Sequence, residues 1–96
     1  MDRITSRGIG TRVLLVESHP ANTAVMTSVL AQSGCRVRIA SSTSDAAVMT
    51  TLEPFDFVVI NRDIPHGRAL SRRLTSTGRV REQDLFPYSI HPVDGE

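Results

Sequence analysis

Hydrophobic and polar positions alternate with different periods along this chain, and each period predicts an element. Val13-Leu14-Leu15-Val16 is a continuous apolar run bounded by charge. Such a run suits a central parallel strand covered on both faces. From about Ala21 to Ser33, Val25, Met26, Val29 and Leu30 recur at i, i+3, i+4 spacing, which predicts a helix with one apolar stripe facing a core. Pro20 suits the first turn, where its missing N–H costs nothing, and Gly34 is a left-handed stop. Arg36-Val37-Arg38-Ile39-Ala40 alternates with period two, the pattern of a half-exposed strand near a sheet edge. Ser41 to Thr43 form a turn, and Ser42, Thr43 or Ser44 can cap a second helix. That helix covers about Ser44 to Leu52, with Ala47, Val48 and Leu52 as its inward face, and Pro54 closes it. Phe57-Val58-Val59-Ile60 is a second buried strand. The order strand, helix, strand, helix, strand predicts a parallel α/β sheet with right-handed crossovers.

After Pro65 the periodicity weakens. Arg68 to Leu74 can form a short helix with Leu70 and Leu74 on one side. A strand is expected around Leu85-Phe86, interrupted by Pro87. Residues 1–11 read as a flexible leader and 91–96 as a polar tail. The remaining residues, 12–90, form one domain at most, since the chain has 96 residues and 40% hydrophobic content.

Composition narrows the function. The net charge of +1 gives no overall push toward nucleic acid or acidic partners. All eleven basic residues are arginine, and five of them lie between Arg68 and Arg81. Cys35 is the only cysteine, so no internal disulfide forms, which fits a reducing cytoplasm. No apolar run reaches the roughly 18 residues of a membrane span, and no signal-peptide pattern opens the chain. Gly8-Ile9-Gly10 precedes a strand, whereas a dinucleotide-binding turn follows one. No nucleophile elbow, P-loop or H-E-x-x-H motif is present, and His66 and His91 have no zinc-like spacing. The chain is not expected to be an enzyme.

Two segments carry a family resemblance, which covers roughly Arg12 to Pro65. Val13 to Asn22 resembles the opening of receiver domains attached to hybrid sensor histidine kinases. There a strand ends in two acidic residues, followed by Asn-Pro, one variable residue and Asn. Glu17 matches the first acid, Ser18 replaces the second, His19 replaces the first asparagine, and Pro20 and Asn22 match. Phe55 to Pro65 resembles the third receiver strand, which opens on Phe-Asp and ends in a phosphoacceptor aspartate four residues before a proline. Counting from Asp56 or from Pro65 reaches the same position, and it holds Asn61. The resemblance implies a three-layer α/β fold with a parallel, flavodoxin-like sheet, truncated or atypical in its C-terminal third. Two further strand–helix units need on the order of 50 residues, and thirty-five follow Asn61. Residues 12–67 match the pattern and 68–90 depart from it.

The resemblance also sets expectations for chemistry. In the family, an acidic pair and an aspartate hold Mg²⁺ while the aspartate attacks phosphorus. Here Glu17 survives, but Ser18 and Asn61 are neutral, and the family's lysine is absent from a chain without lysine. Mg²⁺ binding is therefore expected to be weak or absent, with Glu17 the one weak metal candidate, and no other cofactor is expected. The expected function is a pseudo-receiver in two-component or phosphorelay signalling, docking on a histidine kinase or phosphotransfer domain without phosphate, within a larger hybrid kinase or as an adaptor. Glu17, Ser18, Asn61 and Asp63 form its degenerate site. His19, Asn22, Arg62 and His66 are partner-binding candidates. One alternative is phosphorylation on Asp63. Another is nucleic-acid binding through Arg68 to Arg81, disfavoured by the near-zero charge and the lack of interleaved aromatics. An incomplete sheet would expose an edge through which the chain could form homodimers.

Overall fold

The structure, a computed structural model, describes residues 10–89. The predicted tail and most of the predicted leader lie outside the described residues. Gly10 and Thr11 belong to the fold: the Gly10 N–H donates to the Gly34 carbonyl, and Thr11 is buried.

Among the described residues, four strands and three helices alternate. They are β1 (Arg12–Val16), α1 (Pro20–Gln32), β2 (Arg36–Ala40), α2 (Thr43–Leu52), β3 (Phe57–Asn61), α3 (Gly67–Ser76) and, after a 3₁₀ turn at Glu82–Asp84, β4 (Leu85–Tyr88). All strand pairs are parallel and the spatial order is β2-β1-β3-β4. This is the flavodoxin-like order over its first four strands. The two uninterrupted apolar runs became the central strands β1 and β3, and the alternating segment became edge strand β2. The last helix is longer than expected, at 67–76, and β4 incorporates Pro87.

The core has two halves because successive strand residues face opposite sides. Leu14, Val16, Val58 and Ile60 pack with Ala46 of α2 and Leu70 and Leu74 of α3. Val13, Leu15, Phe57 and Val59 pack with Leu30 and Met26 of α1 and with Phe86. Phe57 and Phe86 meet edge to face at 5.4 Å. Burying a side chain such as Leu30 contributes about 1.5–3 kcal/mol.

The helices sit on the sheet differently from the expected stripes. On α1, Leu30 is buried and Met26 half-buried, but Val25 and Val29 are exposed. On α2, Ala46 faces the core, with Ala47 and Met49 half-buried, while Val48 and Leu52 are 56% and 75% exposed. Alanine lets α2 lie close to the sheet, and that rotation turns its larger residues outward.

Local chemistry fixes the boundaries. The Ser42 side chain accepts from the Asp45 N–H at 3.1 Å and caps α2. Gly34, at φ 84°, ends α1. Its N–H bonds the Ala31 carbonyl and that of Cys35 bonds the Leu30 carbonyl, the Schellman pattern that only a left-handed residue permits without strain. On β4, the Tyr88 carbonyl accepts from the Arg62 N–H. Tyr88 therefore bonds toward β3, and by alternation the Pro87 backbone points to the outer edge. There its missing N–H costs the sheet no bond.

Candidate functional site

The carboxyl ends of parallel strands form the crevice where α/β sheets place their chemistry. Glu17 directly follows β1, and its N–H continues the ladder by donating to the Ala40 carbonyl. Extending the β1–β3 register by one residue sets Glu17 beside Asn61, and Asn61 pairs with Tyr88. Glu17, Asn61 and Tyr88 thus form a polar row across three strands. The row lies on the α1 face, at the end of the apolar cluster built from Leu15, Val59 and Phe86.

The row is closed on itself. Glu17 is fully buried and Asn61 is 3% exposed. The Asn61 Nδ2 group donates to both Glu17 oxygens, at 3.0 and 3.3 Å. The Tyr88 hydroxyl donates to Glu17 Oε1 at 2.6 Å, and the His19 N–H donates to Oε2 at 3.1 Å. The Asn61 Oδ1 atom accepts from the Asp63 N–H at 2.9 Å. Both ends of the amide are therefore committed, and its orientation is set by chemistry: oxygen toward an N–H, nitrogen toward a carboxylate. An aspartate could serve the Asp63 N–H but would face Glu17 charge against charge.

Burial pushes the Glu17 carboxyl up, but hydrogen bonds from Tyr88, the His19 backbone, Asn61 and Asn22 outweigh it. The net result holds the group below the usual glutamate range. Glu17 is thus a buried, ionised, fully served carboxylate rather than an exposed one. Burial and the neighbouring Glu17 raise the Tyr88 phenol, which keeps its proton and remains a donor.

The residues singled out from sequence divide into three groups. Glu17 and Asn61 are brought together, and the Asn22 amide reaches Glu17 from α1. Ser18 and the His19 side chain are exposed, and only the His19 backbone enters the network. Asp63 is exposed, two residues past the strand, and its carboxylate accepts from the Ser89 hydroxyl. Arg62 and His66 are exposed on the 61–67 loop. His66 takes the left-handed region at φ 63° and starts α3. Gly67 then passes so close to β3 that a Cβ there would lie 2.8 Å from the Asn61 carbonyl oxygen. The loop is thereby pinned beneath the site.

Tyr88 is the residue that sequence reasoning missed. Its signal was the hydroxyl-bearing aromatic closing Leu85-Phe86-Pro87-Tyr88, since a residue at the end of the fourth strand reaches this crevice.

Mg²⁺, which the resemblance implies, does not fit the residues present. Donors already fill the sides of Glu17 that a cation would need, and the Asn61 oxygen is committed to a backbone N–H. Among the described residues no group of three or more His, Cys, Asp or Glu side chains could hold a metal. No helix among them is long and apolar enough to cross a membrane. Comparison with protein-family profiles and with curated proteins found no match.

Proposed function

We propose that this chain is a pseudo-receiver, a docking module of two-component or phosphorelay signalling that works without aspartyl phosphate. The observation that carries the reading is the neutral Asn61 amide at the phosphoacceptor position, donating to a buried Glu17. A carboxylate there would attack phosphorus and help hold the metal; the amide does neither and satisfies Glu17 instead. The proposed partner is a cytoplasmic histidine kinase or phosphotransfer domain. It would meet the outward side of α1 and the loops around 17–20 and 61–68, where His19, Arg62 and His66 are exposed. The exposed Val25 and Val29 on α1 add apolar contact area to that face.

The test is an amide NMR spectrum of the labelled chain with and without Mg²⁺ and beryllofluoride, a mimic of the acyl phosphate. The expected result is a dispersed spectrum that neither addition changes, together with binding to a kinase or phosphotransfer domain. Saturable shifts at Glu17, Asn61 or Asp63 would overturn the reading.

A further inference from the structure

On the opposite face of the sheet from Glu17, Arg62, Arg68 and Arg72 line one groove with Ser71 and Pro87. The groove encloses about 240 Å³ between α3 and β4. Arg68 and Arg72 are one helical turn apart on α3 and so project along the same side. Arg62 joins them from the loop after β3. All three are exposed, and among the described residues none has an ion-pair partner. Other arginines are used differently: Arg12 and Arg38 pair with Glu53, and Arg81 pairs with Asp84.

The chemistry of the lining selects the ligand. Guanidinium groups only donate hydrogen bonds. The Ser71 hydroxyl donates to the Gly67 carbonyl, so its proton is committed. Pro87 offers no N–H. A complement must therefore be rich in acceptors and negatively charged, and the fork of arginine suits carboxylates at close range. No aromatic side chain lines the groove for base stacking. Arg73 lines a different cavity, with Thr43 and Ala47 of α2, so the cluster foreseen over Arg68 to Arg81 is split between two sides of α3.

We propose that this groove docks an acidic segment of a partner protein, holding clustered Asp or Glu carboxylates between Arg62, Arg68 and Arg72. From the docking function above it takes only that the partner is a protein. The groove shares Arg62 with that docking surface, but the docking reading is tested at Glu17, Asn61 and Asp63 with a phosphate mimic and the groove at its arginines with a peptide, so the two ideas fail separately.

The test titrates the labelled full chain with a synthetic Glu/Asp-rich peptide and follows the backbone and arginine Nε signals. Saturable shifts confined to Arg62, Arg68, Arg72 and their neighbours are expected. The double variant R68E/R72E should lose at least about tenfold in affinity, as expected for removing charge-assisted bonds. R36E/R38E, an equal charge change on exposed β2, should alter it less than about twofold, as general electrostatics at a distant site are screened. A dispersed spectrum checks that each variant is folded. The proposal is overturned if the peptide gives no saturable shifts, or if R36E/R38E weakens binding as much as R68E/R72E. It is also overturned if a single-stranded oligonucleotide or inorganic phosphate binds these arginines more tightly than the peptide.

Discussion

Asn61 makes two bonds that a carboxylate could not make together: it accepts from the Asp63 N–H and donates to Glu17. The pH dependence follows from that pairing. The Glu17 carboxyl is depressed in the folded state, so its stability contribution is full above the unfolded value of about 4.3 and is lost as pH falls below it. In N61D the sign should reverse. Two facing carboxylates share a proton, the folded-state pKa of one rises, and stability declines as pH climbs from about 4 toward 7. Urea midpoints measured between those limits check this; parallel curves for the two proteins would contradict it. Tyr88 makes a second residue-scale case. Y88F removes one donor from a buried carboxylate and should cost about 2 kcal/mol at neutral pH. Chemical denaturation reads the loss, and the acid-unfolding midpoint should move up with it.

At the scale of elements, β4 is a four-residue edge strand whose outward-facing backbone positions are Leu85 and Pro87. The missing N–H removes a donor from the middle of the edge and discourages another strand from adding there. The exposed edge foreseen as a route to homodimers is thus blunted on this side. P87V should restore the donor and raise self-association, measured as a larger weight-average mass by sedimentation at equal concentration. Unchanged mass would show that Pro87 does not guard the edge. The helices teach a related point. On α2 the sheet-facing residues are Ala46 and, in part, Ala47 and Met49, so the most hydrophobic positions of the sequence pattern, Val48 and Leu52, are on the outside. An apolar residue is free to be exposed, whereas close helix–sheet contact rewards small ones.

Across the whole molecule, legibility tracks how local the cause is. Val13–Val16 and Phe57–Ile60 were readable as central strands because burial on both faces leaves no polar position. Glu17 and Asn61 were singled out through the family resemblance, which sets both at strand ends. The helix faces were misread because small residues set the approach, and apolar spacing does not report that. Tyr88 was readable only as an aromatic closing a fourth strand, and its contact depends on β4 pairing with β3 in one register. No spacing within the sequence encodes a contact to Glu17 across 71 positions.

That long-range bond also bears on how the chain is made. A ribosome releases β1 first and β4 last. Until Tyr88 emerges and β4 docks, Glu17 lacks one of the donors that offset its burial. The β1–β3 portion can gather its apolar residues earlier, but it does so with a buried charge only partly served. The β1–β3 portion is therefore expected to be less stable than the complete sheet. Folding should complete late, once residue 88 is clear of the exit tunnel.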